Sequence, residues 1–372
     1  MSGGRSGVAA GAGRLRPRDR IELPEYPVDA AWSPDGRMLA VGLADGALML
    51  LTVDAVNARE GSSPPPGSAG TAGSPGPPLR RLQAHDGGVL AVAWQKAGRL
   101  FASSGQDGAV RLWDARTATS RPVLTDGQWS ERLAFADNGR WLAVATARVL
   151  SLIDEQGELR HRYAPQAGAI AALAWRPKSG EIAAAGNGGV HLYRPPSPSP
   201  LQSPPQSQDL TIRGACLSAT FNPDGRLLAA GLQEGAVLLW NLATGTQSQM
   251  AGYGSRVFAA EWSANGRYLA TAAGSTLAVW DFSGKGPEGS RPLTYQAHSE
   301  RITAIAFRPS GTWLVSAARD RRLLLWRVGG GDTPQDAHLL ADECSLLRFS
   351  RDGARLAVGD ARGGMVVFDC EP

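Results

Sequence analysis

Cysteine is scarce in this chain of 372 residues: Cys216, Cys344 and Cys370 stand far apart, and no two form a CxxC pair. A disulfide framework or a four-ligand zinc site needs paired or closely spaced thiols, so neither is expected and a reducing compartment is. His161, His191 and His338 stand singly without metal-ligand spacing, so no metal and no cofactor is expected either. No apolar run approaches the roughly 18 residues of a membrane span, and the first twenty residues lack the apolar core of a secretory signal. The expectation is a cytoplasmic protein with no membrane contact; the Arg-rich, acid-poor start leaves a transit peptide as the alternative. No Ser has Gly two places before and two places after it, and Gly284-Lys285-Gly286 lacks the P-loop spacing. A hydrolase nucleophile elbow and a phosphate cradle are thereby excluded, and no small-molecule substrate is evident.

What is present is a body that is 43% hydrophobic and 19% charged, the composition of a chain with a large core. The formal net charge is +4. Arg5, Arg14, Arg16, Arg18 and Arg20 against Asp19 account for it, so the basic character sits in an N-terminal arm on a neutral body. Such an arm gives weak support for nucleic-acid association, which is kept as the alternative function.

The dominant signal is an internal repeat. An aromatic, a polar turn and a short apolar run recur eight times, from Trp32 (WSPDGRMLAVG), Trp94, Phe135, Trp175, Phe221 (FNPDGRLLAAG), Trp262, Phe307 and Phe349. Apart from a wider first interval the copies lie roughly 40 to 46 residues apart, the period of a propeller of four-stranded units. In the fifth copy Ala215–Phe221 reads as strand a, Leu227–Gly231 as b, Ala236–Trp240 as c and Thr246–Met250 as d, with Pro, Asp and Gly between them. Strand b is small and apolar in nearly every copy, as required where sheets pack on both faces. The fold expected is all-β, a closed propeller of eight blades (seven as the alternative), each of four antiparallel strands. The sequence ends just after the eighth strand c, so residues 19–23 are expected to supply the missing strand d and close the ring. That makes residues 1–18 a flexible basic arm and residues 19–372 a single propeller.

Two copies carry more than the strand pattern. QAHDGGVLAVAW, FASSGQDGAV and RLWD in the second, with QAHSERITAIAF, LVSAARD and LLLW in the seventh, resemble the WD-repeat (WD40) family over about residues 19 to 370. The resemblance implies a structural network within a blade, on His85, Ser103, Asp107 and Trp113 and on His298, Ser316, Asp320 and Trp326. His beside Ser and Asp is also a nucleophilic constellation, but a buried network whose members satisfy one another has no free nucleophile. No catalytic residue is therefore expected, and the chain reads as a non-enzymatic scaffold for protein–protein or protein–peptide interaction. The sixth copy keeps only Trp280-Asp281 of the pattern.

Irregular spacing locates insertions rich in Pro, Ser and Gly at 54–78 and 194–208, with shorter ones at 283–290 and 328–336, all between strands c and d. They read as flexible loops on one face, with a polyproline segment recognised by another protein as the alternative. The opposite face keeps short turns and is the expected docking surface. Its candidate contact residues are Gln106, Gln233 and Arg319 in the b–c turns and Trp129, which breaks the repeat register.

Overall fold

The turn Ser33-Pro34-Asp35-Gly36-Arg37 shows why each repeat folds into hairpins. The Asp35 carboxylate accepts from the Ser33 hydroxyl at 2.6 Å and from the Arg37 amide at 3.1 Å, while Ser33 Oγ accepts from the Met38 amide at 2.8 Å. Gly36 follows at φ +67°, a conformation that side chains with a Cβ resist. Ser263 with Asn265 and Ser350 with Asp352 repeat the device.

The computed structural model describes residues 13–53, 79–196, 207–284, 286, 287, 289–296 and 298–371. The insertion at 54–78, most of that at 194–208 and the first twelve residues of the arm lie outside them. Every regular element described is a strand. The innermost strands are Pro27–Trp32, Val89–Trp94, Ser130–Phe135, Ile170–Trp175, the second half of Ser207–Phe221, Val257–Trp262, Ile302–Phe307 and Cys344–Phe349. Each touches the next, and the last touches the first, so the ring is closed. An apolar cluster fills each junction between neighbouring units; at the seam Leu39, Val41 and Leu51 pack with Leu346 and Val367.

Hydrogen bonding groups these eight units into seven sheets, the alternative count considered above: six sheets have four strands and one has six. The difference lies between units four and five. Elsewhere a loop separates strand d from the next strand a, whereas Ser207–Phe221 runs through both, with Gly214 at φ +112° as the link. Its first half pairs with Val190–Tyr193 and its second half with Leu228–Leu232. Ser207 and Gln208, placed in the insertion above, are therefore strand.

Leu15–Glu22 is the fourth strand of the last sheet, antiparallel to Gly364–Cys370 with Arg20 opposite Val366. It starts earlier than the boundary at 18/19 allowed, which corrects the extent of the arm. Leu15 is buried among Leu340, Leu347 and Phe368, and its amide donates to Asp336 at 2.8 Å, so burial and a hydrogen bond both hold residues 15–18 in the sheet. Pro17, which has no amide hydrogen, sits at the irregularity in this pairing, where an edge strand tolerates it.

Candidate interaction face

Antiparallel order puts the d–a loops and b–c turns on one face of the ring, and backbone hydrogen bonds tie them together. Ala44 donates to Tyr26, His85 to Gly46, Gln106 to Gly88, Gln166 to Arg148, Arg319 to Arg301, Leu340 to Arg321 and Leu23 to Gly363. The turns of units one, seven and eight are thus fixed both to their own strand a and to the loop that follows, those of units two and five to their own strand a, and those of units three and six to the loop that follows. Ion pairs reinforce the rim: Arg81–Asp45 at 2.7 Å, Arg162–Asp126 at 3.1 Å, Arg319–Glu343 at 2.9 Å and Arg362–Asp342 at 2.7 Å. The c–d connections leave on the opposite face, where Val53, Ala115, Leu242, Phe282 and Val328 donate back to the a–b turns of their own units.

Under the short-turn face lie the two polar networks. In unit two the Trp113 indole donates to Ser103 Oγ at 2.9 Å, Ser103 Oγ lies 2.8 Å from His85 Nε2, and His85 Nδ1 lies 2.9 Å from Asp107. Unit seven repeats the chain through Trp326, Ser316, His298 and Asp320 at 2.9, 2.8 and 3.2 Å. The carboxylate must accept, which assigns the Nδ1 proton and leaves Nε2 to accept from the serine hydroxyl. Burial pushes both imidazoles below their ordinary pKa despite the adjacent aspartates, so they are neutral. Ser103 and Ser316 are fully buried with every partner taken. The chain of donors and acceptors is complete, which makes it a brace.

Unit six holds a third brace that the sequence pattern did not reveal. Trp280 donates to the Tyr253 hydroxyl at 2.8 Å, which lies 2.7 Å from Thr271 Oγ1, which in turn donates to the Ala278 carbonyl at 3.1 Å. Tyr253 stands four residues ahead of its strand a, as His85 and His298 do. The only sequence signal is that shared position. In units one and eight the same positions carry Leu23, Val41 and Leu51, or Leu340, Val358 and Phe368, all buried. One packing site is filled by a polar chain in some units and by hydrocarbon in others.

Every inner strand has an irregular pairing at its second residue. The residues there are Val28, Leu90, Glu131, Ala171, Leu217, Phe258, Thr303 and Ser345, a half-buried collar in which Glu131 alone is charged and exposed. Bulges of this kind re-aim side chains at a rim. The unpaired edges of the inner strands are met by side chains of adjacent units: Asp29 accepts from Val92, Arg132 donates to Ala171, and Trp32 and Trp175 donate to Arg348 and Ala134.

Trp129, 52% exposed, donates its indole N–H to the Gln106 carbonyl at 2.9 Å, so the structure brings these two candidate residues together. Gln106 is further held by its Oε1, which accepts from Gly88. Gln233 is exposed on unit five. Arg319, on unit seven, is engaged with Glu343. The same face carries Arg213, Arg256 and Arg301, exposed and without an ion pair among the described residues, with the Arg301 guanidinium 5.3 Å from the Phe258 ring.

A family model described as WD domain, G-beta repeat, matches residues 76–114, 207–241, 246–281 and 289–327. The chain contains WD repeats, matched in these four places. Among similar proteins, the WD repeat-containing protein slp1 of Schizosaccharomyces pombe is 23% identical over 314 residues, 82% of this chain and 51% of that protein. Cell division cycle 20.1, cofactor of APC complex, from Arabidopsis thaliana is 24% identical over 358 residues, 89% of this chain and 60% of the relative. The WD-repeat chain thus spans between half and three fifths of these relatives' length. In fold it is similar to the crystal structure of the computationally designed Ika8 protein, with a TM-score of 0.73, 18% identity, and coverage of 96% of this chain and 100% of that one. No helix of the described residues is long and apolar enough to cross a membrane.

Proposed function

We propose that this protein is a non-enzymatic scaffold that takes up a protein or peptide partner on its short-turn face, in the cytoplasm. The observation that carries the reading is the set of hydrogen bonds that ties the turns and loops of that face to one another at most junctions between units. Loops fixed in this way bind without the ordering cost that mobile loops incur. A relative whose name describes it as a cofactor of a complex supports the same adaptor role. The serines nearest to histidine and aspartate are sealed in the braces, which favours the non-enzymatic reading.

The nucleic-acid alternative gains nothing from the described part of the arm. Arg16 pairs with Glu371 at 2.9 Å and Arg18 with Asp369 at 3.3 Å, so these charges serve the last sheet. Affinity purification of the full chain from its native cell, beside a Trp129→Ala, Gln233→Ala variant, tests the scaffold reading. A partner recovered with the unmodified chain and lost with the variant is expected. Recovery that the variant leaves unchanged would remove the short-turn face from the account.

A further inference from the structure

Between units three and four the short-turn face has a hollow of about 430 Å³, lined by Gly127, Gln128, Trp129, Glu131 and the small side chains of Ala145, Ala147 and Ala169. Its cause is local. The b–c hairpin of unit three turns through Ala147 and Arg148 alone, with Ala147 at φ +49°, one residue shorter than the turns of units one, two and seven, which leaves less chain at the rim.

The residues around it depart from the repeat in a consistent way. Trp129 stands directly ahead of its inner strand, where the other units have Tyr26, Gly88, Ala169, Ala215, Arg256, Arg301 or Glu343. Glu131 holds the bulged position that is uncharged in every other unit. The indole is pinned by its bond to Gln106, whereas the Glu131 carboxylate makes no ion pair or side-chain hydrogen bond found among the described residues. Arg132, next in sequence, is not among the lining residues, and its guanidinium is engaged by the carbonyls of Ala171 and Glu131. Arg148 on the hairpin tip does not line the hollow.

A wall of alanine methyls, an aromatic face and one unpaired carboxylate make a site for a side chain with an apolar stem and a cationic head. Alkyl groups pack on methyls and indole, a cation is attracted by an indole face, and a charge-assisted hydrogen bond to carboxylate fixes the end. We infer that this notch takes a lysine or arginine side chain of the partner, with Glu131 as its counter-ion and Trp129 as its packing face. The inference rests on the proposed use of the short-turn face and adds the chemistry that recognises the partner.

The test uses the full chain and a displayed library of random dodecapeptides. Selected peptides are synthesised, and their binding to the unmodified chain, Glu131→Gln, Trp129→Phe and Gln233→Ala is measured by fluorescence polarisation, with melting curves to establish that each variant is folded. The expected peptides share one Lys or Arg. Replacing it by norleucine, and separately Glu131→Gln, should each weaken binding about tenfold or more, with no further loss when the two are combined, because both remove the same charged contact. Peptides that bind Glu131→Gln within twofold, or that tolerate norleucine, overturn the inference. If those peptides are still weakened by Gln233→Ala, the short-turn face keeps its role and only the basic anchor is lost. If no selected peptide depends on any of the three positions, the notch and the docking face fail together.

Discussion

The Trp280 indole reaches the hydroxyl of Tyr253 at 2.8 Å, in the place where units two and seven use serine and histidine. The phenol bridges strand c to Thr271 of strand b from a loop, so one side chain does the work of two. Tyr253→Phe leaves the buried indole N–H without an acceptor and should lower unfolding free energy by about 1–3 kcal/mol. Ser103→Ala strips a partner from both Trp113 and His85 and should cost more, about 2–4 kcal/mol, in the same urea titration. Equal and negligible losses would mean that these chains brace nothing.

The units with His, Ser, Asp and Trp were legible because polar residues at fixed spacing stand out against apolar strands. Unit six was not. Tyrosine stands in the histidine position, and a hairpin shorter by one residue shifts Trp280 relative to Trp113 and Trp326. The merging of units four and five was equally hidden, since it depends on Gly214 continuing one strand into the next. The bulges of the inner strands carry no compositional mark. Trp129 was legible as a break in register, but its bond to the carbonyl of Gln106, contributed by another unit, needed three dimensions.

Ring closure is tested at Leu15. Leu15→Ala removes a buried side chain from the cluster with Leu340 and Phe368 and should cost about 2–4 kcal/mol. Deleting residues 1–24 exposes the edge of Gly364–Cys370 and should lower the melting temperature further. A melting curve unaltered by the deletion would contradict closure by this strand.

Gly105 lies against the imidazole of His85. A Cβ there would sit 2.3 Å from the His85 Cγ, too close for any side chain. Gly105→Ala should destabilise the chain by about 1–3 kcal/mol through overpacking. The nuclear magnetic resonance signal of the Trp113 indole should shift as the brace is displaced.

His85 and His298 have folded pKa values depressed by burial, so the unfolded chain takes up their protons first. Their contribution is present above the unfolded value of about 6.5 and is lost as pH falls below it toward the folded values. Between pH 7.5 and 5.5 the unfolding free energy should drop, and the drop should shrink in the His85→Gln, His298→Gln double variant. The same slope in both proteins would place the pH dependence elsewhere.

Glu261 has the opposite sign. Burial pushes its carboxyl up to about 7, against the Phe307 amide and the more distant Arg348 charge, which favour ionisation. A carboxyl whose folded pKa is raised holds its proton longer in the folded state, so its contribution is lost as pH rises through 7. Glu261→Gln keeps an acceptor without the charge, and at pH 8.5 it should melt higher than the unmodified chain, with little difference at pH 5. A variant that melts lower at both pH values would refute a buried, strained carboxylate.

The central claim is that partners dock on the face of short turns. Full chains carrying a photo-crosslinking phenylalanine analogue at Gln233 on that face, or at Arg226 in an a–b turn of the opposite face, separate the two faces within a single unit. Irradiated in the native cell, the Gln233 chain should yield a discrete crosslinked partner and the Arg226 chain should not. Crosslinks confined to Arg226 would contradict the account.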